Sequence, residues 1–147
     1  MQGERLIFVK DVMARNVRTL DLKSTIVDAA KAMAKWKIGA LIITREGSAV
    51  GIITEGDISR CVARGIDVHT ALQEFAKRKL ITTAPGARLE EAAKAMAEAG
   101  VKKLPVMEDG RLVGIITQTD IVNSSFALVT SLKEMVQARY RPPDFQM

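Results

Sequence analysis

Val50-Gly51-Ile52-Ile53-Thr54-Glu55-Gly56-Asp57-Ile58 returns, without a gap, as Val113-Gly114-Ile115-Ile116-Thr117-Gln118-Thr119-Asp120-Ile121. The same offset carries Ala29-Ala30-Lys31-Ala32-Met33-Ala34 onto Ala92-Ala93-Lys94-Ala95-Met96-Ala97, so a whole supersecondary unit is duplicated and not one strand. Two such copies predict one pseudo-symmetric body in which any site offered by one copy has a counterpart in the other.

Each copy has the same internal order. Ser24 or Thr25 is positioned to cap a helix whose apolar residues Ile26, Ala29, Ala30 and Met33 follow a 3.6-residue period. The runs Leu41-Ile42-Ile43-Thr44 and Val50 to Thr54, joined through Gly47, read as a β-hairpin. In the second copy Leu89, Ala92, Ala93 and Met96 form the stripe, and Asp109-Gly110 turns between Leu104-Pro105-Val106-Met107 and Leu112 to Thr117. A closing helix is expected to start at each repeated aspartate, with Asp57 and Asp120 as N-caps and Gly65 as the first stop. The unit is β-α-β-β-α, and the fold class is α/β (α+β).

The expected organisation is a first motif over 1–66, a connector helix with the second motif over 67–127, and a helical extension with its tail over 128–147. In the connector, Asp67 to Lys79, Leu72 and Phe75 should face inward and Lys77-Arg78-Lys79 outward. In the extension Ile121, Ser125, Leu128, Leu132 and Met135 share a helical face until Pro142-Pro143.

At 147 residues, such a chain buries roughly 68–70% of the surface it exposes when unfolded. Its apolar runs fall far short of the ~20 residues of a membrane span, and the N-terminus carries no secretion signal, so a soluble, cytoplasmic protein is expected. One cysteine, Cys61, and one histidine, His69, speak against a disulfide framework or a Cys/His metal site, and Cys61 reads as a core filler. His69 sits on the connector and leaves no Ser-His-Asp or Cys-His constellation, and no P-loop lysine motif occurs, so no enzyme is expected. The net charge of +5 suits an anionic partner without naming it.

Thr54 and Asp57 place a hydroxyl at a strand end and a carboxylate at a helix start. A carboxylate accepts two hydrogen bonds from vicinal hydroxyls, which suits a ribose, and the helix N-terminus favours a nearby phosphate. The alternative is plain capping, with Asp57 and Asp120 as caps and Thr54 and Thr117 as strand ends, since duplicated structure duplicates its caps.

The succession of helix, strand with Leu-Pro-Val, Asp-Gly turn and Val-Gly-Ile-Ile-Thr-x-x-Asp-Ile resembles the cystathionine-β-synthase (CBS) domain over nearly the whole chain, with Asp11-Val12-Met13 similar to its opening segment. The resemblance implies a pair of motifs forming one Bateman module, often a disc-like homodimer, that regulates a partner protein unknown from this chain. It also implies adenosyl ligands, AMP, ADP, ATP, S-adenosylmethionine or NAD, held in clefts between the motifs, each cleft crossing from one motif to the other. By that resemblance one cleft joins Thr117 and Asp120 to Ile38, Gly39 and Ala40 around the base, with Lys10, Arg15 and Asn16 from the leading segment. The other joins Thr54 and Asp57 to Val101 and Lys102, with Arg78 and Lys79, and Lys103 falls at a phosphate-contact position. For each basic residue the alternative is a solvated surface charge.

The sequence departs from the family pattern at Gly56 and Thr119, where a basic residue often precedes the aspartate, and at Ile42 against Pro105. Leu72-Gln73-Glu74-Phe75 matches the opening segment less well than Asp11-Val12-Met13, which favours the Asp120 cleft. A different class of function stays open. Lys35-Trp36-Lys37, Lys77-Arg78-Lys79 and Arg139-Tyr140-Arg141 suit nucleic-acid binding, and the C-terminal helix suits a scaffold.

Overall fold

The computed structural model describes residues 6–76 and 78–124. The expected extension over 128–147, Arg139-Tyr140-Arg141 and Lys77 lie outside the described residues. The element order is α1 (Val9–Val12), β1 (Thr19–Asp21), α2 (Ile26–Trp36), β2 (Ala40–Arg45), β3 (Ser48–Thr54), α3 (Glu55–Ala63), α4 (Gln73–Ala76), α5 (Leu89–Ala99), β4 (Lys103–Glu108), β5 (Arg111–Thr117) and α6 (Gln118–Asn123).

The duplication reaches into fine detail. Each hairpin turns through a two-residue loop with positive φ at both positions, Glu46-Gly47 and Asp109-Gly110, the geometry that matches the twist of paired strands. Each also carries a register shift at the same place, between Ile43 and Thr44 in one copy and between Val106 and Met107 in the other. Thr25 caps α2 by accepting from the Asp28 N–H while the Asp28 carboxylate accepts from Thr25, a reciprocal capping box. The buried stripe of α2 is Ile26, Ala29, Ala32 and Met33, with Ala32 in the place expected for Ala30.

One strand is not duplicated. β1 pairs in parallel with β2, and the carbonyl of Arg18, just ahead of β1, accepts from the Ile42 N–H at 3.1 Å. Pro105 stands at the position of Ile42 and has no N–H to donate, so the second copy keeps only an isolated parallel bridge, Thr83 to Val106. The first unit is therefore β-α-β-β-α, and the second opens on a bridge.

The two cores exchange their leading segments. One core gathers Leu22, Ile26, Ala29, Met33, Leu41, Ile43, Ile53 and Cys61 with Leu72 and Phe75 from beyond the first motif. The other gathers Leu89, Ala92, Met96, Leu104, Val106 and Ile116 with Val9 and Met13 from the N-terminal segment. The glycine of each Val-Gly-Ile-Ile run is where the exchanged segment crosses. A Cβ on Gly51 would stand 2.7 Å from the Phe75 carbonyl oxygen, and one on Gly114 would stand 2.7 Å from Met13 Sδ and 2.8 Å from the Ala14 carbonyl oxygen. Such contacts force backbone to move, so glycine is required there by packing.

The connector departs from the expected helix: a turn starts at Asp67, and among its described residues only Gln73 to Ala76 is helical. Within it the His69 N–H donates to the Asp67 carboxylate, while the Leu72 N–H crosses to the Ser24 carbonyl ahead of α2. Leu72 and Phe75 point inward as expected. No helix among the described residues is long and apolar enough to cross a membrane.

Candidate functional site: two unequal clefts

The repeated aspartates are not N-caps. Thr54 and Thr117 hold the N-cap positions of α3 and α6, and Asp57 and Asp120 sit three residues on as the acidic half of a capping box. The aspartate's N–H donates to the threonine hydroxyl, at 3.2 Å in the first copy and 3.1 Å in the second. The threonine N–H donates to the aspartate Oδ2 at 2.9 Å in both. The expectation of an aspartate cap fails because the strand runs directly into the helix, leaving the last strand residue at the helix boundary.

Beyond that box the copies diverge. Asp57 is buried, at 6% exposure, and its carboxylate is fully engaged. Oδ2 also accepts from the Thr54 hydroxyl at 3.0 Å, while Oδ1 accepts from Arg60 Nη2 at 2.7 Å and from Arg78 Nη2 at 3.3 Å. Burial pushes this carboxyl upward. The Thr54 N–H, the Arg60 guanidinium, the Thr54 hydroxyl and the Arg78 charge outweigh that and hold it below the usual carboxylate range. Gly56 leaves room for the arrangement, since a Cβ there would stand 3.2 Å from Arg60 Nη1.

Asp120 is half-buried and makes no ion pair among the described residues. Asn123 occupies the position equivalent to Arg60, and Arg15 the position equivalent to Arg78. Arg15 turns away and donates to the Lys10 carbonyl at 3.4 Å.

A cavity of about 560 Å³ opens at Asp57, within the range of small-molecule sites. It brings together Thr54, Asp57, Arg78, Lys79, Val101, Lys102 and Lys103, the set expected for this cleft, and so spans both motifs. Gly39, expected at the other cleft, lines this one instead, with a Cβ position 2.8 Å from Lys103 Nζ. Arg60, Glu55, Phe75 and Ile81 also line it, and sequence reasoning named none of them for the site. The signal for Arg60 was present in its position one helical turn beyond Asp57, facing the same way.

A second cavity, of about 650 Å³, lies at Asp120 between Leu6, Ile7, Asp11, Val12, Asn123 and Ser124. It does not include Thr117, Ile38, Ala40, Lys10, Arg15 or Asn16, so that expected set is not gathered into one cavity among the described residues. Lys10, Arg15 and Asn16 are exposed. Two aromatic rings among the described residues lie beside basic groups of this chain: Arg18 lies 4.5 Å and Lys35 5.5 Å from the Trp36 ring, and Arg78 lies 5.2 Å from the Phe75 ring.

Comparison with known proteins places this architecture. The CBS domain family model matches residues 9–64 and again 72–126. The uncharacterized protein MJ1225 of Methanocaldococcus jannaschii is 36% identical over 115 residues, 78% of this chain, which spans 41% of that protein's length. The CBS domain-containing protein YhcV of Bacillus subtilis is 33% identical over 114 residues, 77% of this chain and 81% of its own. The crystal structure of the CBS domain pair of protein MJ0100, in complex with 5-methylthioadenosine and S-adenosyl-L-methionine, superposes with a TM-score of 0.75 at 31% identity, covering 82% of this chain and 96% of that one. With two matched motifs and exchanged leading segments, the chain belongs to the CBS domain family and forms a CBS pair.

Proposed function

We propose that this CBS pair is a regulatory sensor that binds an adenosyl ligand in the cleft at Asp57 and transmits its occupancy to a partner protein. The observation that carries the reading is the cavity at Asp57. It joins a Thr-x-x-Asp ribose grip from one motif to Val101, Lys102 and Lys103 from the other, and its size suits a nucleotide. The similar MJ0100 pair, crystallised with two adenosyl compounds, supports the ligand class. Asp57 takes ribose hydroxyls, Val101 borders the base, and Arg78, Lys79, Lys102 and Lys103 meet phosphate. The cavity at Asp120, lined by Asp11, Asn123 and Ser124, is the second candidate cleft. No catalytic role is assigned to any of these residues: the pair acts by binding, as a homodimer, in the cytoplasm.

Thermal unfolding with AMP, ADP, ATP, S-adenosylmethionine, 5-methylthioadenosine and NADH tests the reading. A ligand at a hundredfold excess over its Kd stabilises the folded form by ~2.7 kcal/mol and raises Tm by several degrees. No shift and no calorimetric heat with any of the six refutes it. Native mass spectrometry of freshly purified protein reports the dimer and any retained ligand together, and a monomer spectrum contradicts the homodimer.

A further inference from the structure

The cleft at Asp57 is basic, and its aspartate is already full. Five basic side chains, Arg60, Arg78, Lys79, Lys102 and Lys103, line it against the two carboxylates of Glu55 and Asp57. Asp57 has four acceptor directions, and all are used: Thr54 supplies two donors to Oδ2, Arg60 and Arg78 one each to Oδ1. A ribose hydroxyl therefore reaches Oδ1 only by displacing a guanidinium. The displaced arginine needs a new acceptor in the same cavity. A neutral nucleoside offers none of the right charge, and S-adenosylmethionine brings its one carboxylate together with an ammonium and a sulfonium, two cations where cations already predominate. A di- or triphosphate supplies the acceptor, so ribose and phosphate exchange partners with the aspartate and the arginine in one step.

Both guanidiniums can leave Asp57 without disturbing a core, their side chains being 61% and 62% exposed. The Asp120 cavity lacks the device. It has Asn123 at the place of Arg60, the carboxylates of Asp11 and Asp120 in its lining and no basic side chain among its described residues.

We propose that the Asp57 cleft selects its ligand by charge, accepting adenosine di- and triphosphates and discriminating against adenosine and S-adenosylmethionine, with Arg60 as the specificity-determining residue. The proposal rests on the adenosyl reading above and names the ligand class for that site. Arg60 acts twice, shielding Asp57 from hydroxyls that arrive without phosphate and binding the phosphate when it comes.

The test is titration calorimetry of the full chain with adenosine, AMP, ADP, ATP and S-adenosylmethionine. It is run on the unaltered protein, on Arg60→Gln and Arg60→Lys, and on each of these with Asp120→Ala to silence the other cleft. Affinity is expected to rise with phosphate number, with ATP at least tenfold tighter than adenosine or S-adenosylmethionine. Arg60→Gln should weaken ATP about tenfold, the loss of one charge-assisted hydrogen bond, and leave adenosine unchanged or tighter because Asp57 is freed. Arg60→Lys should retain part of the ATP preference. Because the Arg60 side chain is largely exposed, these variants keep the fold, and the Asp120-intact versions give the same ranking if Asp120→Ala is unstable. Adenosine or S-adenosylmethionine binding as tightly as ATP overturns the charge selection while leaving the adenosyl reading standing. Equal weakening of adenosine and ATP by Arg60→Gln overturns the role of Arg60. Absence of binding by all five compounds overturns both proposals.

Discussion

The two copies of Val-Gly-Ile-Ile-Thr-x-x-Asp-Ile share a backbone and differ in electrostatics. Both build the same hairpin, bulge and capping box, with threonine-to-aspartate hydrogen bonds of 2.9 Å in each. Yet Asp57 is buried under two arginines, and Asp120 is half-buried beside Asp11 with no ion pair among the described residues. Duplication preserves what folding requires, because a Thr-Asp capping box stabilises a helix start wherever it stands. It does not preserve what lies one turn further on: Arg60 against Asn123 changes a surface position that neither core depends on, so the two clefts are free to diverge in charge.

The strongest way to break the comparison is at the crossing glycines, where the copies are expected to behave alike. Gly51→Ala and Gly114→Ala each press a methyl group against the exchanged segment, and each should cost about 2–3 kcal/mol in denaturant unfolding. A large loss at one glycine and none at the other contradicts the equal exchange of segments. Next in size is the unduplicated strand. Ile42→Pro removes the donor to the Arg18 carbonyl and should cost about 2 kcal/mol, whereas Pro105→Ile should change stability by less than about 1 kcal/mol. Comparable losses from the two substitutions would refute the account of why β1 has no counterpart.

The aspartates themselves sharpen the contrast. Asp57→Ala removes a capping box and a buried carboxylate's partners, and should cost about 2 kcal/mol against about 1 kcal/mol for Asp120→Ala. The Asp57 contribution depends on pH with a definite sign. Its folded carboxyl titrates below the unfolded value of about 3.9, so the stabilisation is complete above that value and is lost as pH falls through the lower folded value. The unaltered protein and Asp57→Asn, which cannot titrate, should therefore converge in stability at strongly acid pH; a gap that persists there sinks the ionic account. Smallest of all, Asn123→Arg supplies the second copy with the missing guanidinium. On an exposed helix end it should add no more than about 0.5 kcal/mol in denaturant unfolding, a gain that high salt screens away. A gain as large at high salt as at low would mean that position alone does not create the clamp.

Much of the fold is legible in the residues. The 3.6-residue stripes at Ile26–Met33 and Leu89–Met96, the alternating hairpins and the Asp109-Gly110 turn are local signals, and local sterics carry them through. The helix starts were displaced from aspartate to threonine because both residue types cap helices, and only the strand leading into the helix decides which is first. The connector helix contracted to Gln73–Ala76 because Leu72 and Phe75 are held by packing on the first core, which periodicity does not record. Of the candidate site, the Asp57 set is gathered in one cavity and the Asp120 set is not, the reverse of the order suggested by the leading segments.

The sequence by itself determined that there are two copies, where their strands and helices fall, and that each ends in a threonine and an aspartate able to share hydrogen bonds. These follow from spacing along the chain, where each residue acts on neighbours a few positions away. The tertiary structure alone decided which core each leading segment joins, and that Arg78, 21 residues from Asp57, closes over it with Arg60 while Arg15 turns elsewhere. The physical reason is that charge acts through space. A carboxylate's partners are set by what folding brings within about 3 Å, a distance that spacing along the chain does not encode.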